Sequence, residues 1–243
     1  MNHFDKVTDY DQVQSIFFDG MTLLFGGFGG VGTPPSIIDC LIDTKVKDVH
    51  LIGNDAGFPW IGIGKFISLG RAQSIIVSHI GSNSIAGDLM NQGKLKVEFS
   101  PQGILVERIR SGGVGLNGFL TEIGKGTQLA YDKPLMKMGE KTYLYEAPIT
   151  GDVGIVYAKK ADTFGNLIFD KTARNTNPFV AMAGKITIVE AEEIVPMGAL
   201  NPEEIVVPGI YVDHIVASRS KGYNWKWIWE MQDKPSHNGP PVK

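Results

Sequence analysis

One stretch constrains the fold more than any other: an apolar run at residues 21–25 followed by five glycines within residues 26–32. The next two residues are typical of a helix start, with Thr33 as the N-cap and Pro34 at the first helical position. Glycines allow positive φ angles and close backbone approach, and the unpaired N–H groups of a helix start attract anions. Strand, glycine loop and helix in this order predict a loop that binds a ligand.

The first half of the chain alternates short apolar runs with amphipathic segments, which predicts a parallel sheet covered on both faces. Strands are predicted at residues 21–25, 49–53, 74–78 and 96–99, and helices at 10–18, 34–43, 63–69, 84–92 and 104–110. The second half adds a predicted hairpin at 135–138 and 142–145, strands at 153–158, 185–191 and 215–217, and a short helix at 178–183. A turn at Gly165-Asn166 separates two further strands within 161–170. The expected fold is therefore a three-layer α/β/α domain with a mostly parallel, mixed central sheet.

Polar segments fall where the predicted strands end. Besides the glycine loop, these are Asn54-Asp55, residues 81–83 and Gln102. Ligands of parallel sheets bind beyond the carboxyl ends of the strands. Convergence of four separate segments on that edge predicts a single site there.

Length and composition favour one globular domain at residues 1–220 with a tail at 221–243. The tail carries Trp225, Trp227 and Trp229, so either it docks through its tryptophans or it pairs with a partner as a strand. A formal net charge of −3 gives no indication of a nucleic-acid or membrane partner. A polar start, no long apolar run and a single cysteine, Cys40, predict a cytoplasmic protein with a buried thiol.

The residues leave several chemical interpretations open. A G-x-G-x-x-G pattern at residues 27–32, with Asp55 placed 23 residues beyond Gly32, fits a dinucleotide-binding oxidoreductase. A second alternative is a non-catalytic regulator that binds sugar phosphates and has a similar layered fold. The five histidines are scattered, no metal cluster is expected, and His79 is interpreted as structural. The carboxylates offer no convincing nucleophile, because Glu107 fits a helix surface and Glu190, Glu192 and Glu193 fit a solvated edge.

Residues 19–34 resemble the signature of the alpha (A) subunits of family I, 3-oxoacid type, CoA-transferases: Asp-Gly, two free positions, three apolar residues, Gly-Gly-Phe, three free positions, Gly, one free position, Pro. Further segments resemble that subunit in the same order, at residues 78–83, 101–103, 107–113, 124–127, 163–167 and 173–178. The resemblance covers residues 8–220 and favours the acetate or butyrate:acetoacetate CoA-transferases.

The resemblance implies an enzyme that moves CoA between a short-chain acyl-CoA, such as acetoacetyl-, butyryl- or acetyl-CoA, and a free carboxylic acid. In this family the nucleophile is a glutamate in a Ser-Glu-Asn-Gly motif of the beta subunit, and no Ser-Glu pair occurs here. The chain is therefore expected to work only with a beta subunit, in an α₂β₂ assembly. CoA is then a co-substrate, and no permanently bound cofactor is expected.

The resemblance also implies roles for individual residues. Gln102 of the Pro-Gln-Gly segment is expected to stabilise an oxyanion. The conventional CoA-binding loop consists of Gly26, Gly27, Phe28, Gly29, Gly30, Val31 and Gly32. Alternatively, this loop packs against the partner and shapes the acyl pocket, while the beta subunit holds most of the CoA. Phe28 and Phe58 are candidates for an apolar wall, and Asn54 and Asn83 for contacts to the acceptor carboxylate or the thioester.

Overall fold

A computed structural model describes residues 4–219 of the 243-residue chain. The tail predicted at 221–243, with its three tryptophans, lies outside the described residues. The helices are α1 (Tyr10–Ile16), α2 (Pro35–Asp43), α3 (Ile63–Ser68), α4 (Ser84–Asn91), α5 (Gln102–Gly113) and α6 (Asn177–Ala183).

The central sheet is built mainly from parallel strands. Its strands are β1 (Thr22–Phe25), β2 (Val49–Ile52), β3 (Ala72–Val77), β4 (Lys96–Phe99), β8 (Gly151–Asp162), β10 (Gly184–Val195) and β11 (His214–Ala217), with β9 (Leu167–Ile168) pairing antiparallel to β8. The order is β11-β10-β8-β1-β2-β3-β4, and all six neighbouring pairs are parallel. A separate antiparallel sheet contains β5 (Phe119–Thr121), β7 (Lys141–Glu146) and β6 (Leu135–Met138).

Alternating side chains of the strands divide the core into two layers. Leu23 of β1 packs with helices α1 to α4 on one face, whereas its neighbour Leu24 packs with α5 and α6 on the other. Both leucines are fully buried, as expected for a strand covered on both faces. The predicted three-layer α/β/α architecture with a mixed, mostly parallel sheet is confirmed.

Two strands extend well past the carboxyl end of β1. Phe25, the last residue of β1, pairs with Ile155, yet β8 continues to Asp162 with β10 alongside it. In this extension Lys159 pairs with Glu192 at 2.6 Å and Lys160 with Glu193 at 2.9 Å. Both strands are longer than predicted, because these charged pairs interrupt the apolar pattern. The extension forms a wall beside the edge where β1 to β4 end.

Helix α5 extends beyond residue 110, where the predicted helix ended. Gly112 and Gly113 are still helical. A Cβ at Gly112 would lie 2.0 Å from the Ile149 carbonyl oxygen, and one at Gly113 would lie 2.7 Å from Cβ of Met182 in α6. The predicted end at residue 110 was wrong, because Gly112 and Gly113 continue the helix and allow it to pack closely against its neighbours.

We expect Gly112→Ala to destabilise the protein by about 2–3 kcal/mol, since the added methyl meets backbone that cannot move freely. Gly87→Ala in α4 is the matched control, because no atom lies within 4 Å of a Cβ there. Better helix propensity should make the control neutral or stabilising by up to about 1 kcal/mol. Urea denaturation measures both, and equal effects would show that α5 is not closely packed at Gly112.

Candidate functional site

The carboxyl ends of β1, β2, β3 and β4 lie in that order along one edge of the sheet. Neighbouring strands are about 4.8 Å apart, so the loops after β1 and β4 lie roughly 14 Å from each other. Residues 26–34, 53–62, 78–83 and 100–102 follow the four strands. The structure thus brings all four predicted segments to one edge of the sheet.

The glycine loop is a miniature hairpin. Phe28 and Val31 exchange both of their backbone hydrogen bonds, at 2.9 and 3.0 Å. Between them Gly29 and Gly30 adopt φ angles of +57° and +91°, which L side chains rarely adopt. The Phe28 side chain is 49% exposed. The loop therefore presents an aromatic ring and a tight backbone turn to whatever binds at the edge.

The glycines of this loop divide into two groups. A Cβ at Gly26 would lie 1.9 Å from Oδ1 of Asn177, one at Gly27 would lie 1.9 Å from Oγ1 of Thr33, and one at Gly32 would lie 2.4 Å from the Ala173 carbonyl oxygen. At Gly29, by contrast, no protein atom lies within 4 Å of that position. The first group permits close contact with the chain itself, so only the tip leaves room for another molecule.

Two asparagines from the second half of the chain hold the loop. Asn175 accepts a hydrogen bond from Gly27 N at 3.1 Å and donates to the Val31 carbonyl at 2.8 Å. Asn177 donates to the Gly32 carbonyl at 2.9 Å and accepts from Tyr157 N at 3.0 Å. Asn177 is fully buried. These bonds fix the loop against β8 and α6.

Asp55 holds the same loop from its other side. Its carboxylate accepts from Gly29 N, Gly57 N and Asn54 Nδ2, all within 2.9 Å, and it is only 3% exposed. A carboxylate engaged in this way does not face a ribose. The dinucleotide interpretation required Asp55 to bind a ribose, so this arrangement argues against it.

A second miniature hairpin lies next to the first. Phe58 and Ile61 form a bridge like that of Phe28 and Val31, with Ile61 N donating to the Phe58 carbonyl at 3.1 Å. The sequence signal for it was a repeat that our sequence analysis missed, with residues 57–62 (Gly-Phe-Pro-Trp-Ile-Gly) matching 27–32 (Gly-Phe-Gly-Gly-Val-Gly). The Phe58 side chain is half-buried. The exposed His79 ring lies 6.4 Å from the Phe28 ring, centroid to centroid.

The two predicted substrate asparagines are buried, at 2% exposed for Asn54 and 1% for Asn83. Asn83 caps α4 by accepting from Ala86 N at 3.1 Å and donates to the Ala56 carbonyl at 2.9 Å. Asn54 donates to Asp55, while its Oδ1 is buried with no hydrogen bond in the described part of the chain. In this arrangement both asparagines shape the loop after β2, and their direct contact with a substrate stays a prediction.

Gln102 is exposed and is the first residue of α5. The preceding residue, Pro101, supplies no side-chain cap, and the Gln102 side chain makes no hydrogen bond within residues 4–219. The first turn of a helix carries unpaired N–H groups and a partial positive charge. The start of α5 therefore presents unpaired N–H donors at the edge of the sheet where the other loops of the site lie.

Helix α2, in contrast, is capped by a distant carboxylate. Glu190 of β10 accepts from Ser36 N at 2.8 Å and Ile37 N at 3.1 Å, and from the hydroxyls of Ser36 and Ser218. Its side chain is fully buried. Burial raises the pKa of Glu190, and the donors around it act in the opposite direction.

Two predictions made for this region were wrong. Glu190 does not lie on a solvated edge, and Thr33 is not the N-cap of α2, since that position is Pro34 without a side-chain cap. The cap comes instead from a strand about 150 residues away, which no local pattern could show. Because Glu190 occupies the N–H groups of Ser36 and Ile37, the start of α2 cannot serve as the anion site that the glycine loop first indicated.

Two further carboxylates considered as nucleophiles, Glu107 and Glu192, have partners within the chain, and the thiol of Cys40 is buried. Glu107 pairs with Arg110 at 2.8 Å on the surface of α5, and Glu192 accepts from the Tyr157 hydroxyl at 2.6 Å. Cys40 is buried, as predicted, and burial raises its pKa to about 11. Among the described residues no group of three His, Cys, Asp or Glu side chains is placed to hold a metal ion. No helix in that range is long and apolar enough to cross a bilayer.

Comparison with known proteins identifies the family. A model of the coenzyme A transferase family matches residues 10–218, nearly all of the described chain. The chain therefore belongs to the coenzyme A transferases. This family membership supports neither the oxidoreductase nor the sugar-phosphate alternative.

Similar proteins indicate which subunit of a CoA-transferase this chain is. The chain is 50% identical over 231 residues to a probable coenzyme A transferase subunit alpha of Bacillus subtilis, covering 95% of this chain and 100% of the relative. It is 42% identical over 211 residues to the acetoacetyl-CoA:acetate/butyrate CoA transferase alpha subunit of Clostridium acetobutylicum, covering 87% and 97%. These relatives place the chain among the alpha subunits of CoA-transferases.

The fold is also found in a solved structure, an acyl-CoA transferase apoenzyme from Escherichia coli O157:H7. The TM-score is 0.80 at 22% sequence identity, over 91% of this chain. This chain covers 48% of that longer protein. The likeness confirms the fold expected of a CoA-transferase.

We expect Glu190→Ala to destabilise the protein by about 2–4 kcal/mol, because buried N–H and O–H donors lose their acceptor. Glu190→Gln should cost no more than about 1 kcal/mol, since its carbonyl can still accept from both N–H groups and its amide can donate to the serine hydroxyls. Glu193→Ala is the surface control, because it removes only an exposed pair with Lys160. If urea denaturation gave Glu190→Ala the same small effect as Glu193→Ala, the remote cap would be refuted.

Proposed function

We propose that this chain supplies the non-nucleophilic half of a CoA-transferase active site, and that a beta subunit with a Ser-Glu-Asn-Gly motif supplies the nucleophile. The observation that carries the proposal is the open start of α5, where Gln102 is exposed, while Asp55 in the loop after β2 at the same edge of the sheet is engaged within the chain. Because the Clostridium relative is named for acetoacetyl-CoA, acetate and butyrate, we assign short-chain acyl-CoA and carboxylate substrates to this chain.

The proposed reaction moves CoA through two anhydride intermediates and one glutamyl-CoA thioester. The partner's glutamate attacks the acyl-CoA carbonyl, which releases CoA thiolate and forms an acyl-glutamyl anhydride. The thiolate then attacks the glutamyl carbonyl, which releases the first acid and leaves a glutamyl-CoA thioester. An acceptor carboxylate reverses both steps and leaves with CoA, so the glutamate is regenerated. Covalent catalysis of this kind divides one difficult exchange into easier steps.

Gln102 acts on the charge that each attack creates. Every addition to a carbonyl places negative charge on its oxygen, and a donor already in position stabilises that charge without reorganising. The Gln102 amide and the adjacent N–H groups at the start of α5 are donors of this kind. Asp55, at the same edge of the sheet, repels an oxyanion less strongly because it accepts hydrogen bonds from the Gly29 and Gly57 N–H groups.

The aromatic side chains of the two hairpins give the edge an apolar side. We place the acyl chain against Phe28 and Phe58, at the paired turns after β1 and β2. Asn54 and Asn83 contribute by fixing the loop that carries Phe58, through Asp55 and the Ala56 carbonyl. The Gly29 tip, which has open space around it, is the part of the glycine loop that approaches the thioester or the partner.

The purified chain alone should not transfer CoA from acetoacetyl-CoA to acetate. Mixing it with a beta subunit that carries Ser-Glu-Asn-Gly should restore turnover, and changing the glutamate of that motif to alanine should abolish it. The assay follows loss of acetoacetyl-CoA absorbance together with formation of acetyl-CoA. Robust turnover by this chain without a partner would exclude the half-site model.

In the reconstituted enzyme Gln102→Ala should lower kcat by about 10²–10³-fold, the usual loss for one oxyanion donor, and change KM little. Gln102→Glu keeps the size but replaces the donor by an acceptor, so it should be at least as slow. Gln92→Ala, an exposed glutamine at the far end of α4, is the control and should leave kcat unchanged. A wild-type kcat in Gln102→Ala, with normal assembly by gel filtration, would rule out the oxyanion role.

A further inference from the structure

A groove of about 510 Å³ lies on the side of the glycine loop away from Gln102. It is lined by two residues of the loop and four from the segment after β9: Phe28, Val31, Lys171, Thr172, Arg174 and Asn175. These lining residues include two cations and no acid. The groove is therefore electropositive beside an exposed aromatic ring.

The two cations are poorly neutralised by the described chain. The Lys171 side chain is 80% exposed, and its nearest carboxylate oxygen, on Asp170, is 3.9 Å away. Arg174 is exposed and makes no ion pair within residues 4–219. By contrast, Lys159 and Lys160 on the adjoining wall pair with carboxylates at 2.6 and 2.9 Å. The groove thus concentrates positive charge, whereas the lysines of the adjoining wall are paired.

The backbone that carries the two cations is attached to the glycine loop. A 3-10 turn, Lys171–Arg174, carries them, and Asn175 follows directly with its bonds to Gly27 and Val31. Lys171 itself adopts a φ of +48°, a conformation uncommon for a residue with a side chain. The asparagine bonds that hold the glycine loop therefore also hold the turn that carries these cations beside it.

We propose that this groove binds the 3′-phosphate of CoA through Lys171 and Arg174, with Phe28 available to the adenine ring. The proposal rests on the proposed function, since it names where this chain holds its co-substrate. Arg offers a forked set of donors that matches phosphate oxygens, and Lys adds a point charge. CoA carries its phosphates and its thiol at opposite ends, which fits a groove on one side of the loop and Gln102 on the other. A short acceptor acid has one carboxylate and needs neither two cations nor this volume.

The test is a double-mutant type of cycle in the reconstituted two-chain enzyme. One change removes the two cations from the protein, and the other removes the 3′-phosphate from the ligand. The Lys171→Gln/Arg174→Gln double variant is compared with wild type on acetoacetyl-CoA and on acetoacetyl-dephospho-CoA, which lacks the 3′-phosphate. Lys47→Gln is the control, an exposed lysine just before β2 and hence at the opposite edge of the sheet. KM for acetate is measured in parallel, and each series is repeated at higher salt.

We expect the double variant to raise KM for acetoacetyl-CoA by about tenfold at low salt, with kcat within about twofold. On the dephospho substrate the variant and wild type should differ by less than about threefold, and Lys47→Gln should behave as wild type. An equal loss on both substrates, or no loss, would overturn the proposal, and a selective rise in KM for acetate would assign the cations to the acceptor carboxylate. If wild type plus partner transfers no CoA at all, the proposed function fails instead, so the two failures are distinguishable.

Discussion

The hydrogen bonds from Asn175 and Asn177 to the glycine loop join the two halves of the chain, and the geometry of the site depends on them. They reach across about 145 residues of sequence, from the start of α6 to the loop after β1. The backbone groups they satisfy lie in a tight turn where few other partners are available. Because buried backbone groups are costly to leave unpaired, this contact fixes one loop conformation.

Other features of the site follow from that attachment. With the loop held by these asparagines, its close-packed glycines Gly26, Gly27 and Gly32 face Asn177, Thr33 and Ala173, whereas Gly29 faces open space. Glu190 completes the support by taking the donors at the start of α2. Strand, glycine loop and helix therefore do not form an independent phosphate site in this protein. They form a rigid wall. The parts of the site that face a ligand are the turn at Gly29, the ring of Phe28 and the start of α5.

The fold was largely predictable because its signals are local. Alternating apolar runs and amphipathic segments gave the sheet, the helices and the edge where Asn54, Asn83 and Gln102 fall. The support of the site was not predictable, because it depends on contacts distant in sequence. Glu190 lies in an acidic run that resembles a surface, but it is buried because β10 pairs with both β8 and β11 and the start of α2 contacts its carboxylate. Asn175 and Asn177 were noticed only through a family resemblance, which did not show what they bind.

The central claim is that this chain contributes donors and walls while another chain contributes the carboxylate that becomes acylated. It is tested most directly by locating the covalent intermediate. The two-chain enzyme would be incubated with acetoacetyl-CoA without acceptor, quenched in acid, and both intact chains weighed by mass spectrometry. The account predicts a CoA adduct on the beta subunit alone, at the glutamate of Ser-Glu-Asn-Gly. A CoA adduct on any carboxylate of this chain would contradict it.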